Sequence, residues 1–254
     1  MKILVLLRMS PEPEGALDLN ADGTGLDREW LDLRLNDFDD HALEEAVLLK
    51  EAAGGSVIAV AVGEGAQRTL QMAIARGATS AIAIDWPNDR MIVAPSIAPT
   101  VAALARDLAV DVVMTGVQMS EDIVGQAAPI IGGLLGWAHI SGTSNVSISA
   151  GGALAVTQER GSGFVAKYLV ATPAVLGVQT ASKPPRYASG TKLRQAAKTP
   201  IESVALGKAC PMLPVVSLRP TKSGSAKPLG ASPKLAAETL VRVLADKGLI
   251  RGAP

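Results

Sequence analysis

The sequence predicts an α/β protein with a doubly wound, mostly parallel sheet of the Rossmann-like, adenine-nucleotide-binding type, followed by a β-rich second part and an extended C-terminal arm. Three observations indicate this class. Continuous apolar runs such as "ILVLL" are typical of strands buried on both faces. In the first half these runs alternate with segments of helical periodicity. Beyond residue 137, strand-like segments follow one another without helices between them.

The first half of the chain predicts an alternation of strands and helices. Strands are expected at residues 3–7, 56–62, 80–84 and 110–115. Helices are expected at residues 39–52, 68–77 and 95–108. Asp39 and Asp40 complement the dipole at the start of the first helix, and Gly77 is suited to end the second. This order predicts parallel strands with helices on both faces of the sheet.

The second half predicts a change of architecture. Strands are expected at residues 144–149, 153–159, 165–171 and 174–178, and a Pro-rich bend with a short basic helix at 181–206. We therefore expect an α/β domain at 1–206 and a second part at 207–254, which packs on a partner. In that part, a proline-rich arm leads to an amphipathic helix with Ser232 as N-cap, Pro233 at its first position and Gly248 as its stop.

Composition excludes several classes of function. The chain has 24 basic and 24 acidic residues without a basic cluster, so neither nucleic acid nor an anionic membrane surface is an expected partner. Its one cysteine, Cys210, rules out a disulfide framework and a thiolate metal cluster. The two histidines, His41 and His139, lack metal-ligand spacing and are expected to be structural. No apolar run is long enough to cross a bilayer, so we expect a cytoplasmic, soluble protein without membrane insertion.

The stretch "GVQMSEDIVGQAAPIIGGLLGW" (116–137) is the candidate binding loop. In open parallel sheets, ligands bind beyond the carboxyl ends of the strands, which directs attention to the loops after residues 7, 62 and 115. Small residues let the backbone approach a phosphate, and the start of the following helix offers free N–H donors. The alternative is a loop that is rich in glycine and alanine without binding anything. The second loop, "GEGAQR", lacks the third glycine of the dinucleotide fingerprint.

No catalytic motif is present in the sequence. It contains neither a G-x-S-x-G nucleophile elbow nor a phosphate-binding G-x-x-x-x-G-K-[ST] loop. The acidic pair Glu44–Glu45 is expected on a helix, where solvated salt pairing with Lys50 would explain it. We therefore expect no catalytic residues, no metal site and no enzyme activity in the sense of bond cleavage.

Four segments together resemble the beta subunits of electron-transfer flavoproteins. The segment "LNDFDDHALEEAVLLKE" is similar to the family pattern "INPYDxxALEEAxxLKE", and "TPAVLGVQTASKPPRYAS" is similar to "LPAVVTVxxxxxxPRYxS". The segments "VAVGEGAQRTLQMAIARGATSAIAI" and "TGVQMSEDIVGQAAPIIGGLLGWAH" match two further family stretches in the same order. "NDFDD" and "GVQMS" look closest to the branch that serves trimethylamine dehydrogenase.

The resemblance implies a heterodimer that carries electrons from flavoprotein dehydrogenases toward a quinone reductase. An alpha subunit would hold most of one FAD, while this chain forms a wall of the FAD cleft and buries a structural AMP. By the matching, the adenosine is lined by Leu6, Asn36, Asp37, Phe38, Asp39, Val62 and Gly63. The phosphate loop comprises Glu121, Asp122, Ile123, Val124, Gly125, Gln126, Ala127, Ala128, Ile131 and Gly132.

Departures from the family pattern bear on both ligand and partner. Gln126–Ala127–Ala128 replaces the usual Gln-Thr-Gly, so fewer side-chain ligands are expected at the phosphate, while the backbone N–H donors remain. The exposed docking loop would be Pro184–Gln195, with Pro185, Arg186, Tyr187, Gly190 and Leu193 as its docking residues. Gly190 replaces the usual docking leucine, which makes Leu193 the expected anchor and argues against acyl-CoA dehydrogenases as partners. The similarity to the trimethylamine dehydrogenase branch implies an amine-oxidising flavoprotein as the dehydrogenase.

Two rival functions are left open by the sequence. One is a bifurcating electron-transfer flavoprotein, in which a second FAD takes the place of AMP. The other is a stand-alone nucleotide-binding regulator of the stress-protein kind, which shares the sheet and the site but has no use for the β-rich second part and the arm. Flavin counts of two and zero, respectively, would distinguish these rivals from the expected count of one per heterodimer.

Overall fold

The computed structural model of the protein describes residues 1–12, 18–27, 29, 31–87, 92–207, 217–219 and 228–250. The chain divides into two compact units, Met1–Ser217 and Leu218–Pro254. Most of the predicted arm 207–231, Cys210 among it, lies outside the described residues. The division falls inside this arm, beyond the boundary predicted at 206.

The described part of the chain forms ten strands and six helices. The strands are β1 (Lys2–Pro11), β2 (Leu33–Leu35), β3 (Ser56–Val62), β4 (Ser80–Ile84), β5 (Val112–Gly116), β6 (Ala138–Ile148), β7 (Leu154–Glu159), β8 (Val165–Val170), β9 (Ala174–Val178) and β10 (Glu202–Val204). The helices are α1 (Asp37–Ala53), α2 (Ala66–Arg76), α3 (Ala94–Asp107), α4 (Ala127–Leu135), α5 (Gly190–Ala196) and α6 (Pro233–Asp246).

The strands form one mixed sheet in the order β10-β4-β3-β1-β5-β9-β6-β7-β8, with β2 paired to β1. From β10 to β6 every neighbouring pair is parallel. The β6–β7, β7–β8 and β1–β2 pairs are antiparallel. The α/β fold class predicted from the sequence is confirmed, including the change of architecture in the second half.

Strand β1 lies near the middle of the sheet and is buried on both faces because its side chains alternate between two cores. Ile3, Val5 and Leu7 pack with apolar residues of α1 and α2. Leu4 and Leu6 pack on the opposite face with apolar residues of α3 and α4. This arrangement explains the unbroken apolar run, since a strand covered on both sides has no solvent-facing position.

The predicted elements of the sheet are largely confirmed. The strands predicted at 56–62, 80–84 and 174–178 match β3, β4 and β9 residue for residue. Gly77 ends α2 with a φ of 125°, as its position predicted. The sequence did not predict β2 and β10, because three-residue strands are too short to show a period.

The second unit contains α6, whose ends follow the sequence prediction. The Ser232 side chain accepts a hydrogen bond from the N–H of Leu235, and Pro233 occupies the first helical position. Gly248 follows the helix with a φ of 66°. The apolar side chains of this helix are exposed, with Leu235 49% and Leu240 45% accessible.

Candidate functional site

Strands β1 and β5 are parallel neighbours whose following helices lie on opposite faces of the sheet. The chain passes from β1 to α1 on the face that α2 shares, and from β5 to α4 on the face that α3 shares. Such a reversal opens a crevice beyond the carboxyl ends of the two strands, which is where ligands bind in open α/β sheets. The first loop, predicted after residue 7, is instead the continuation of β1 to Pro11, and this part of the strand meets the third loop through the Ser10–Glu121 hydrogen bond.

A buried ion pair between Arg8 and Asp39 joins the two strands at this reversal. Asp39 Oδ2 accepts from the N–H and Nε of Arg8 at 2.8 and 2.9 Å, and Asp39 Oδ1 accepts from Arg8 Nη2 at 2.7 Å. Asp39 Oδ1 also accepts from the N–H of Gly116 at 2.6 Å, and Arg8 Nη2 donates to the carbonyl of Gly116 at 3.0 Å. The pair thus ties the end of β1, the start of α1 and the end of β5 together.

Residues 117–126, which we call the crevice loop, are held against the end of β1 and the start of α1. Asn36 precedes α1 but does not cap it; its side-chain nitrogen donates instead to the carbonyl of Gln118 at 2.8 Å. Ser10 Oγ donates to Glu121 Oε2 at 3.0 Å. Gly125 has a φ of 71°, and a Cβ at this position would lie 2.5 Å from the carbonyl oxygen of Val117. The loop therefore needs glycine there for its turn.

Two carboxylates of the crevice loop differ in their environment. Burial raises the pKa of Glu121 above its ordinary value, although the hydrogen bond from Ser10 acts in the opposite direction. Asp122 is 8% exposed, and its Oδ2 has no hydrogen-bond partner within the described residues. The loop thus presents a partly desolvated acid and an unsatisfied acceptor next to the strand ends.

The crevice loop leads directly into α4. Gln126, at the N-cap position, makes no side-chain hydrogen bond to the helix, so no side chain caps the N–H groups of the first turn. Ala127 and Ala128 begin the helix with buried side chains. Their N–H groups and the positive end of the helix dipole are suited to an anionic ligand.

The structure brings only part of the predicted site into one cavity. A cavity of about 180 Å³ is lined by ten residues, among them Asn36, Asp37, Phe38 and Ile123. A separate cavity of about 530 Å³ is lined by Gly63 and by neighbouring residues of α2 and β4. Of the predicted nucleotide residues, four line the smaller of these two cavities and Gly63 lines the larger one.

Several predicted residues contribute backbone or packing rather than an accessible side chain. The side chains of Leu6, Val62 and Ile131 are fully buried in the core between the sheet and α3–α4. Gly132 is also buried, and a Cβ there would lie 2.8 Å from His139, so this glycine lets α4 pack closely on β6. Val124, in contrast, is 80% exposed.

Two buried polar atoms at the crevice have no hydrogen-bond partner among the described residues. Arg8 Nη1 is a donor in this condition, and Asp122 Oδ2 is an acceptor. An anionic group is suited to Arg8 Nη1 and to the N–H groups at the start of α4, and a hydroxyl group is suited to Asp122 Oδ2.

A second candidate surface is the docking segment, residues 181–189, which lies along α1. The Glu45 carboxylate accepts from the N–H of Ser182 at 2.7 Å and from the N–H of Val146 at 2.6 Å. Glu44 accepts from the N–H of Arg186 at 2.9 Å and is paired with its guanidinium. The expectation of a solvated Glu44–Glu45 pair is therefore wrong. Both are buried because each satisfies backbone donors of a segment that returns about 140 residues later.

The docking segment is anchored on α1, but its aromatic side chain is exposed to solvent. Tyr187, directly after the anchored Arg186, is 99% exposed. Leu193 on α5 is 38% exposed, and a Cβ at Gly190 would meet only the tip of Arg194, at 3.7 Å. His41 takes a structural role, as expected, because its Nδ1 accepts from the N–H of Ala181 at 3.2 Å.

A third surface is the hairpin of β7 and β8 at the edge of the sheet. Phe164 and Leu169 are 73% and 74% exposed, and Val165 and Tyr168 are exposed beside them. A cluster of exposed apolar side chains on an edge strand is typical of a surface that another chain covers.

Neither a metal site nor a membrane span is found in the described part of the chain. None of the described residues form a group of three or more histidine, cysteine, aspartate or glutamate side chains arranged to hold a metal ion. Among the described helices, none has the length and apolar character needed to cross a bilayer.

Comparison with known proteins gives one family and many relatives. Residues 25–209 match the model of the electron transfer flavoprotein domain. The chain is 30% identical to the electron transfer flavoprotein subunit beta of Methylophilus methylotrophus over 215 residues, covering 81% of this chain and 80% of that one. It is 28% identical to the subunit beta of Bacillus subtilis (98% and 100% covered) and 29% identical to that of Homo sapiens (82% and 82% covered).

Proposed function

Since this chain belongs to the electron transfer flavoprotein family, we propose that it is the beta subunit of a heterodimeric electron carrier. In this proposal, an alpha subunit and this chain enclose one FAD, and this chain buries one AMP. FAD, when bound, supplies the redox chemistry. The protein takes electrons from a flavoprotein dehydrogenase and delivers them to a quinone reductase, so this chain contributes binding surfaces rather than catalytic side chains.

The observation that carries the proposal is the position of the crevice loop. The family-like stretch lies at the reversal of strand order, next to the uncapped start of α4. Two buried polar atoms without partners, on Arg8 and Asp122, supply a donor and an acceptor there. Buried polar groups are rarely left unpaired, so a ligand that pairs both would stabilise the folded chain. AMP meets this requirement with its phosphate and ribose.

The exposed hairpin of β7 and β8 supports an obligate partner. Phe164 and Leu169 would each lose accessible apolar area under a covering chain, which stabilises association by about 25 cal/mol per Å². The exposed apolar side chains of α6 support the same inference independently. We propose that the alpha subunit covers both surfaces, so that this chain alone is poorly behaved in solution and holds no flavin tightly.

The docking segment supports contact with a dehydrogenase. Arg186 and the N–H groups of Ala181 and Ser182 fix its backbone on α1, so little conformational entropy remains to be lost on binding. Tyr187 and Leu193 are then presented as apolar contacts of a small, transient interface. An amine-oxidising flavoprotein is the proposed partner.

The direct test of the carrier role is electron transfer in both directions. The heterodimer, produced by co-expression with its alpha subunit, is mixed anaerobically with a reduced amine-oxidising dehydrogenase, and flavin bleaching is followed by stopped flow. Reoxidation by a quinone reductase is then followed in the same way. Rapid reduction and rapid reoxidation support the proposal, whereas a complex that holds flavin but exchanges electrons with neither protein contradicts it.

A further inference from the structure

Arg8 carries a buried guanidinium that is only partly satisfied by hydrogen bonds. Its side chain is fully buried at the reversal of strand order, with the guanidinium beyond the last core residue of its face of β1. Three of its hydrogen bonds hold Asp39 and Gly116, through Nε and Nη2. Nη1 has no partner among the described residues. A fully buried guanidinium nitrogen that lacks an acceptor is unfavourable, because desolvation is not offset by a bond.

The charges around Arg8 show what kind of group is missing. Burial by itself would lower the pKa of Arg8, but Asp39, with smaller contributions from Asp122 and Glu121, raises it above its ordinary value. The guanidinium is therefore cationic while buried. Asp122 also contributes to the electrostatics of Arg8, yet its Oδ2 is unpaired, so Asp122 does not satisfy Arg8 Nη1.

We propose that Arg8 is the cation of the nucleotide site: Nε and Nη2 position the start of α1 against β5, and Nη1 binds the phosphate. This inference rests on the proposed function and names a residue that determines the preference of the site for a phosphorylated ligand. A guanidinium already fixed by Asp39 binds an anion without losing further rotamer freedom. Its charge, although shared with Asp39, reduces the repulsion between a phosphate and the Glu121 and Asp122 carboxylates.

The competing explanation is a purely structural ion pair. Removing one partner of a buried pair leaves an uncompensated charge, whereas removing both is often tolerated. The informative variant is therefore the double substitution Arg8→Met with Asp39→Asn. Asp39 Oδ2 and Oδ1 accept from the backbone N–H groups of Arg8 and Gly116, and the single asparagine oxygen keeps one of these two bonds. If the pair is only structural, this variant keeps the wild-type ratio of AMP to adenosine affinity.

Arg76 provides a matched control. It forms an ion pair with Asp40 between α2 and α1, and its Nε is also buried without a partner within the described residues. It does not lie at the strand reversal. The control variant Arg76→Met with Asp40→Asn removes an ion pair that is less buried, with side chains 15% and 27% exposed. A general effect of lost ion pairing on folding or affinity would appear in both variants.

The experiment compares AMP with adenosine, by titration calorimetry on the nucleotide-depleted heterodimer. We expect Arg8→Met/Asp39→Asn to weaken AMP binding about 10- to 100-fold more than it weakens adenosine binding, the range of a charge-assisted hydrogen bond. The control variant should keep the wild-type preference for AMP. If the double variant does not fold, Arg8→Lys should show the same selective loss on a smaller scale.

Two results would overturn the inference. In one, the Arg8 variant keeps the wild-type ratio of AMP to adenosine affinity, which assigns Arg8 a structural role only. In the other, both ligands are lost equally, which means that the crevice has collapsed rather than lost a phosphate contact. A wild-type heterodimer that binds neither AMP nor adenosine is a distinguishable result, because it removes the proposed nucleotide site itself.

Discussion

Arg186 and Glu44, 142 residues apart, form a bidentate ion pair on the surface of α1. Arg186 Nη2 lies 2.8 Å from Glu44 Oε1, and Arg186 Nε lies 3.0 Å from both carboxylate oxygens. The backbone N–H of Arg186 donates to the same carboxylate at 2.9 Å. One glutamate thus fixes both the side chain and the main chain of the docking segment, and its own side chain is only 4% exposed.

We predict that Glu44→Gln destabilises the heterodimer by about 1–3 kcal/mol, because a buried carboxylate that accepts charge-assisted bonds loses its charge. Glu51→Gln is the matched control, since Glu51 pairs with the same guanidinium but is 51% exposed, where an ion pair contributes about 1 kcal/mol or less. Urea unfolding at neutral pH measures both. Equal losses for the two variants would show that burial of Glu44 adds nothing.

Glu121 leads to a prediction about pH. Burial raises its pKa above the ordinary value of 4.5, so the folded state holds this proton more tightly than the unfolded state. Stability should therefore fall as pH rises through the interval between the two pKa values. Glu121→Gln removes this cost while keeping an acceptor for Ser10. The variant should melt above the wild type at pH 8, with the difference shrinking as pH falls toward 4.5. A difference that stays constant with pH is inconsistent with this assignment.

Gly125 should be intolerant even of alanine. Its φ of 71° is unfavourable for a side chain, and the added Cβ would lie 2.5 Å from the Val117 carbonyl oxygen. We expect Gly125→Ala to lower the nucleotide content of purified heterodimer, and Gly125→Val to abolish it. Gly133→Ala, inside α4 where a Cβ meets nothing within 4 Å, should instead stabilise the protein by roughly 0.5–1 kcal/mol. Extraction and mass spectrometry give the nucleotide content of each variant.

Leu193 is expected to anchor the dehydrogenase. Truncation of one leucine in a small transient interface costs a couple of kcal/mol, on the order of a tenfold loss in affinity. Leu193→Ala should therefore slow reduction at low dehydrogenase concentration without changing FAD or AMP content. Leu134→Ala, which removes a leucine of similar exposure on α4, is the control. Wild-type rates for Leu193→Ala would place docking elsewhere on the surface.

The parallel sheet and its order of elements could be predicted because their signals are local. Apolar runs such as Ser56–Val62 are continuous only where both faces are covered, and Gly77 ends a helix through its own backbone preference. The crevice loop could be found for a related reason, since the rule for ligand position needs only the succession of strands and helices.

The ion pairs could not be predicted, since each joins residues that are distant in sequence. In the sequence, Arg8 directly follows a predicted strand. No residue near it indicates that it pairs with Asp39, which lies 31 residues further along the chain. Glu44 and Glu45 have the spacing of solvated helix residues, and only the return of residues 181–186 buries them. The available signal is that three polar residues, His41, Glu44 and Glu45, lie on the same helix as an apolar stripe and could extend the buried face of that helix.

The central claim, that this chain completes a one-flavin carrier with a structural nucleotide, is tested most directly by counting cofactors. This chain is co-expressed with its alpha subunit, and the heterodimer is purified and denatured. The released FAD and AMP are then quantified against protein. The account predicts one FAD and one AMP per heterodimer. Two FAD without AMP would make the complex a bifurcating flavoprotein, and a nucleotide-loaded chain without any flavin would make it a stand-alone regulator; either result contradicts the account.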